Sequence, residues 1–357
     1  VLPRINEDIN EEWISDKTRY ACDGLKNQRI DTPYIKNDGI FKKANWDQVF
    51  NLIKNKVNIA KKEKIIGFTG DLTNMETLFS VKEFFEKKIK SEFLESRVNN
   101  TYINLESRNN YIFNSSINGI ENSDLIILIG TNPRFEATIL NARIRKNYLN
   151  KKTEIYSFND IGDVTYPYTI LNNSTSTIKE IFDNKHELSN KINLSKKPLI
   201  IIGESVLNME SGEYVFEGFK NYLKKTNKIN EDWNPLNVLS LNASTVGSFD
   251  LKIINNKDGK NTTLEKLKKK DYEILFLFGQ DNLQIEKNNQ FVIYIGSHGD
   301  LGAENADVIL PGSAYTEQDG YYTNLEGKIQ RSYKASYPPG EAKEDWEIIN
   351  SLSEILS

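Results

Sequence analysis

The sequence predicts an α/β protein of two doubly wound, mostly parallel sheet subdomains, and three observations carry that prediction. Five apolar runs end in glycine and a polar loop: GFTGD, LIGTNP, IIIGES, LFLFGQD and VIYIGSHGD. Stretches with helical spacing lie between several of them, and strand, glycine, loop, helix is the order of a sheet wound on both sides. The run Leu125 to Ile129 is apolar at every position, as a central strand covered on both faces must be. With 357 residues the chain has material for two or three such domains.

Taken in order, residues 1–44 are polar and punctuated by Pro3, Gly24, Pro33 and Gly39, and are expected to form a segment that wraps over a neighbouring surface. A first α/β subdomain is expected over 45–185. Asn45 with Gln48 predicts a capping box for a helix whose Trp46, Val49, Phe50, Ile53 and Val57 share one face. Ile65 to Phe68 predicts a strand ending at Gly70, and Thr73 with Glu76 a second capping box. Leu125 to Ile129 is followed by Asn132-Pro133, a cap and a first-turn proline, which predict a helix through Ile139, Leu140 and Ile144; Glu154 to Phe158 is the next strand. A second subdomain, 186–357, restarts at Pro198 to Gly203. It continues through a helix near Glu213 to Lys225, strands at Val238 to Leu241, Ile274 to Gly279, Val292 to Gly296 and Val308 to Leu310, and a last helix from about Asp345.

Composition excludes several function classes. A net charge of -4 with interspersed signs offers no footprint for nucleic acid. One cysteine, Cys22, cannot form an internal disulfide or hold an iron–sulfur cluster, and two histidines, His186 and His298, are too few for an imidazole metal site. No apolar run reaches the roughly 20 residues of a membrane helix, so no direct membrane insertion is expected. The chain begins at Val1 in structured-looking sequence, and a longer polypeptide is expected.

The candidate chemistry is sparse. None of the glycine-ended loops reads G-x-G-x-x-G or a P-loop, so ordinary strand-to-helix turns are favoured over nucleotide cradles. Asn132, Arg134, Arg143 and Arg145 could hold an anion, although Arg143 and Arg145 face different sides of a helix. His298 could act as a general base oriented by Asp300 or Glu317, but no nucleophile accompanies it. Glu7, Asp8, Glu11 and Glu12 form an acidic cluster, and Lys266 to Lys270 (KLKKK) reads as a solvated helix end. The most elaborate stretch is Gly299 to Arg331, in which Val308-Ile309-Leu310 feeds a polar, glycine-rich loop holding Thr316, Glu317, Asp319, Asn324 and Glu326. A loop of that kind at the end of a buried strand reads as binding apparatus.

Three stretches, VLPRINEDINEEWISDKTRYACDGLKNQRIDTP, LIGTNPRFEATILNARIRK and ADVILPGSAYTEQDGYYTNLEGKIQR with PPGEAKEDWEII, together resemble the C-terminal part of the large iron–sulfur (75-kDa-type) subunits of respiratory complex I. That resemblance implies the fold of molybdopterin oxidoreductases such as formate dehydrogenase, in which glycine-ended loops and the segment matching Asp307 through Gly327 embrace a pterin dinucleotide. It also implies that Gly130, Asn132, Asp307, Asp319, Asn324 and Glu326 are vestigial pterin-loop positions. The metal ligand such enzymes supply before the strand Leu125 to Ile129 has no cysteine counterpart here, only Ser115 and Ser116 in an Asn-rich context. The expectation is a cofactor-free domain without catalytic or metal-binding residues, with 2Fe-2S and 4Fe-4S clusters on a missing N-terminal region. It would support electron transfer from NADH to ubiquinone beside other peripheral-arm subunits. The expected location is the matrix side of the mitochondrial inner membrane, the alternative the cytoplasmic face of a bacterial one. The competing functions are an active molybdopterin oxidoreductase subunit and a free NAD-binding dehydrogenase.

Overall fold

The computed structural model describes residues 1–257 and 260–356. The strands, in chain order, begin with β1 (Tyr34–Asn37), β2 (Ile40–Lys43), β3 (Ile65–Thr69) and β4 (Leu94–Glu95). Then come β5 (Leu125–Ile129), β6 (Glu154–Ser157), β7 (Thr169–Ile170), β8 (Pro198–Gly203) and β9 (Leu236–Leu239). A short hairpin, β10 (Asn256–Lys257) and β11 (Lys260–Asn261), precedes β12 (Ile274–Phe278), β13 (Phe291–Gly296) and β14 (Val308–Pro311), and a second hairpin, β15 (Gly320–Thr323) and β16 (Ile329–Ser332), follows.

The chain forms two compact units. The first comprises Val1–Cys22, Thr101–Leu241 and Leu325–Gly327; the second comprises Asp23–Asn100, Asn242–Asn324 and Lys328–Ser357. They do not follow the linear boundaries at 44/45 and 185/186 that the sequence suggested. The reason is strand pairing: β3 lies parallel to β12, with Ile65 opposite Ile274, so the chain leaves the second unit, builds the whole first sheet and returns.

The first unit holds a five-stranded parallel sheet in the order β7-β6-β5-β8-β9. Its strand order reverses between β5 and β8, where a doubly wound sheet takes its ligand. Every residue of β5 and β8 is buried, and helices cover both faces, with Phe216, Phe219 and Leu223 on one and Leu140 and Ile144 on the other. The helix expected after Asn132 is present but broken at Ala137 into Pro133–Glu136 and Thr138–Lys151, with the Asn132 side chain capping Arg134 N–H.

The second unit holds a seven-stranded sheet in the order β2-β1-β14-β13-β12-β3-β4, in which β1 alone runs against the other strands. Its switch point falls between β3 and β12. Phe84, Phe85, Phe276 and Phe278 make a cluster of edge-to-face and stacked rings under this sheet, with centroids 5.6–6.1 Å apart. The capping box of Asn45 and Gln48 forms as predicted, with both reciprocal hydrogen bonds.

Two local expectations fail for identifiable reasons. Residues 34–43 are not part of an irregular wrap: they form a β-hairpin that adds antiparallel to β14, with Tyr34 opposite Ile309. Their Lys36, Lys42 and Lys43 hid the strand pattern, and such charges are common on edge strands. The cap of the helix Met75–Glu83 is Asn74, not Thr73, because the Thr73 hydroxyl is turned back to Gly70 O at 3.0 Å while Asn74 Oδ1 accepts from Thr77 N–H at 2.9 Å. Glu76 instead accepts from Tyr321 N–H at 3.0 Å.

Candidate functional site

The carboxyl ends of the strands at each switch point are where a ligand would enter, and in both units the turns there lie in close backbone contact. In the first unit Gly130, left-handed at φ +59°, ends β5. Its carbonyl accepts from Ser205 Oγ at 2.5 Å, and a Cβ placed on Gly203 would stand 2.1 Å from that same oxygen. The turn's donors are also taken. Glu136 accepts from Thr131 Oγ1 at 2.6 Å and from Asn132 N–H at 3.2 Å, and Glu204 accepts from Leu241 N–H at 2.9 Å. Asn132 spends its amide on Ile161 O at 2.9 Å.

The second unit repeats the pattern with more charge. A Cβ on Gly70 would lie 1.7 Å from Gly279 O, so the turns after β3 and β12 are in backbone contact. Around them stand Asp71, bonded to Asn282 Nδ2 at 2.5 Å, Asp281, bonded to Tyr294 Oη at 3.2 Å, and Asp300. Burial first, then the charges of Asp300 and Asp71, together raise Asp281 to about 6; Asp71 is raised mainly by its own burial. An anionic ligand here would meet carboxylates rather than the N–H groups and cations that bind phosphate.

The predicted site residues are each committed elsewhere. Asp307 accepts from Val292 N–H at 2.8 Å and Lys287 Nζ at 2.7 Å, which ties the start of β14 to β13. Asp319 accepts from Lys334 N–H at 3.3 Å and faces Arg331 at 3.6 Å. Asn324 closes the β15–β16 turn, its Oδ1 accepting from Lys328 N–H at 2.8 Å. Glu326 accepts from Ile117 N–H at 2.8 Å.

The remaining candidates are likewise structural in geometry. Glu317, with 6% of its side chain exposed, is held by both guanidinium nitrogens of Arg29 and accepts from Ala314 N–H at 3.0 Å, so it does not orient His298. His298 Nδ1 shares a 2.8 Å hydrogen bond with Ser297 Oγ, and burial, then the nearby Arg29 charge, lowers its pKa. Arg143 is buried and clamps the N-terminal segment through Ile9 O, Glu7 O and Glu121; Arg134 pairs with Asp163 at 2.7 Å, and Arg145 is exposed. In the acidic cluster Glu11 pairs with Lys146 and Asp8 accepts from Asn118. Ser115 donates to Asn234 O at 2.7 Å and Ser116 to Asn118 Oδ1 at 2.8 Å, at the amino end of β9 and away from the switch point. Sequence reasoning missed Glu136, Glu204, Asp71 and Asp281. Their only signal was position, just after a glycine-ended strand.

Comparison with known proteins gives the class first. The molybdopterin oxidoreductase family matches residues 29–355, and the chain belongs to that family. More particularly, it is homologous to the large iron–sulfur subunits of complex I. It is 43% identical to the NADH-ubiquinone oxidoreductase 75 kDa subunit of Reclinomonas americana over all of this chain and 53% of that protein. It is 42% identical to the mitochondrial NADH-ubiquinone oxidoreductase 78 kDa subunit of Candida albicans over all of this chain and 49% of that one. The chain thus spans about half the length of the curated relatives it matches. The formyltransferase/hydrolase complex of Methylorubrum extorquens matches with a TM-score of 0.66 over 91% of this chain and 98% of its own, at 12% identity, which shows the fold alone.

One expectation is overturned. The NDSU1/NuoG-like 4Fe-4S domain of NADH-ubiquinone oxidoreductase matches residues 1–23, so iron–sulfur domain sequence lies within this chain rather than on a missing region. That stretch contains Cys22 alone, and a 4Fe-4S cluster takes four ligands. The family also implies a pterin cofactor. The residues at the two switch points do not fit a pterin dinucleotide: its diphosphate needs donors and positive charge, whereas Glu136 holds the Thr131 hydroxyl and Asn132 N–H after β5, and Asp71 and Asp281 follow β3 and β12 with Asp300 nearby.

Proposed function

We propose that this chain is a cofactor-free scaffold domain of a complex I large iron–sulfur subunit, supporting the peripheral arm through which electrons pass from NADH to ubiquinone. The carrying observation is the chemistry of the switch points, where turns touch and carboxylates stand at the strand ends. Gly70 touches Gly279 and Gly203 touches Gly130, so neighbouring turns at the strand ends lie against each other, and Glu136 takes the Thr131 hydroxyl and the Asn132 N–H of the first of them. The vestigial positions Gly130, Asn132, Asp307, Asp319, Asn324 and Glu326 serve internal hydrogen bonds on this reading.

Association with other peripheral-arm subunits is supported by the homology to the 75 kDa and 78 kDa subunits. Among the described residues no helix is long and apolar enough to cross a membrane, and the Candida relative is named as mitochondrial. That relative's name supports a place on the matrix side of the mitochondrial inner membrane, with the cytoplasmic face of a bacterial one as the alternative. Elemental analysis of the purified protein tests the function. Substoichiometric molybdenum and tungsten are expected, with no heat of binding for pyrophosphate or a guanine dinucleotide in calorimetry. One molybdenum or tungsten per chain would establish the active-oxidoreductase alternative instead.

A further inference from the structure

Residues 1–22 are fastened to the first unit by polar contacts rather than by burial. No residue from Val1 to Arg29 is buried, and Val1, Leu2, Ile5, Trp13 and Tyr20 each leave more than half of their surface exposed. Among the described residues the segment pairs with no strand of the sheet: its bridge, Asn6 with Glu11, is internal, and its helix Asp16–Tyr20 buries nothing. Ile9 lies partly buried against the cluster that holds Leu140 and Ile144.

Within the segment, residues 4–13 form a turn closed on itself. Asn6 O accepts from the N–H groups of Ile9, Asn10 and Glu11, Asn6 N–H donates back to Glu11 O, and Glu11 takes a left-handed φ of +51°. The Asn10 amide ties the turn together through Arg4 O, Glu11 O and Trp13 O at 2.9–3.1 Å. So built, the turn presents two backbone carbonyls and two carboxylates to the first unit. Arg143, with 2% of its side chain exposed, donates to Glu7 O and Ile9 O while its other terminal nitrogen holds Glu121 at 2.6 Å. Lys146, one turn further along the same helix, bridges Glu11 and Glu121, and Asn118 Nδ2 donates to Asp8 Oδ1 at 2.8 Å. A guanidinium offers its donors in a fixed planar fork, so it reads the spacing of the carbonyls as well as supplying charge.

We propose that residues 1–22 are a detachable strap, latched to the first unit where the Asn6–Glu11 turn caps the Arg143 guanidinium. The strap carries the 4Fe-4S domain match, so the latch is the joint at which the α/β body holds iron–sulfur domain sequence. The proposal rests on the scaffold reading above and names the point where the scaffold grips. Separability follows from what each part buries. A segment without buried apolar side chains opens at a cost set by a few polar contacts, whereas β5 and β8, buried at every residue, open with the whole unit.

Hydrogen exchange of the full chain, read by mass spectrometry, tests it, with tryptic cleavage within residues 1–22 as a second readout. In the wild type the amides of Asn6, Ile9, Asn10 and Glu11 are expected to exchange together, faster than those of β5 and β8 yet more slowly than in an open chain. Arg143→Met removes the socket, and Asn10→Ala, a change within the strap, removes the frame of the turn. Each should speed exchange and cleavage of the strap roughly tenfold and leave β5 and β8 unchanged; Arg143→Lys, able to reach one carbonyl, should recover part of the protection. Should Arg143→Met loosen the whole unit, Asn10→Ala carries the comparison, because it lies outside the sheet and its helices. Turn amides that exchange only together with β5 and β8 in the wild type would make residues 1–22 an integral part of the unit and overturn the strap. Amides already open in the wild type, or unmoved by both variants, would overturn the latch. Metal content tests the scaffold reading separately and moves none of these rates.

Discussion

Gly70 and Gly279 approach so closely that a Cβ on the first would stand 1.7 Å from the carbonyl oxygen of the second. No side chain can be accommodated there without moving backbone, because real Cβ contacts never reach that distance. Gly70→Ala is expected to destabilise the second unit by about 3 kcal/mol, and Gly24→Ala, with nothing within 4 Å of its Cβ, to stay within about 0.5 kcal/mol of wild type. Urea unfolding monitored by circular dichroism separates the two. A neutral Gly70→Ala would mean the two turns are not in contact.

The Arg29–Glu317 pair anchors the segment after Gly24 to the loop after β14. Both side chains are nearly buried, at 13% and 6% exposure, and Arg29 also donates to Ser297 O at 3.1 Å and Leu25 O at 3.3 Å. Replacing one member leaves a buried charge without its counter-ion, so Glu317→Ala should cost about 3–5 kcal/mol. The double replacement Arg29→Met, Glu317→Leu should recover part of that loss in the same unfolding assay. Additive effects of the single and double changes would show that the pair does not interact.

Two buried carboxyls make stability depend on pH. Asp281 is raised to about 6 by burial and by Asp300, and Asp345, the first residue of the last helix, to about 7 by burial. Both folded-state values lie above the unfolded one. Their contribution is therefore complete below about pH 4 and is lost as pH rises through 6 and then 7. Asp345→Asn should gain on the order of 3 kcal/mol at pH 8 relative to wild type and gain nothing at pH 4. Melting temperatures across pH 4–8 give the comparison, and parallel curves for the two proteins would refute it.

Cap identity is testable at adjacent residues. Asn74→Ala removes the bond to Thr77 N–H and should cost about 1 kcal/mol; Asn45→Ala, which removes the acceptor of Gln48 N–H and leaves the backbone bond to Gln48 Oε1, should cost about the same. Glu76→Gln, by contrast, keeps an acceptor for Tyr321 N–H and should leave helix stability nearly unchanged. Equal losses at Asn74 and Glu76 would restore the box first expected there.

The sequence by itself determined the buried strands, the box at Asn45, the start at Asn132-Pro133 and the last helix from Asp345, because each rests on apolar runs or on a cap within three residues. It also determined the family resemblance, carried by long contiguous motifs. It did not reveal the hairpin at 34–43, since an edge strand half exposed and rich in lysine lacks the apolar pattern of a central one. Nor could it separate Thr73 from Asn74 as the cap, two suitable residues side by side. Tertiary structure alone decided which strands pair, joining residues 65–69 to 274–278 across an inserted sheet. That pairing brought Gly70 against Gly279 and drew Asp71, Asp281 and Asp300 together. Local pattern cannot encode such juxtapositions, because charge repulsion and close packing act between residues that the chain itself places two hundred positions apart.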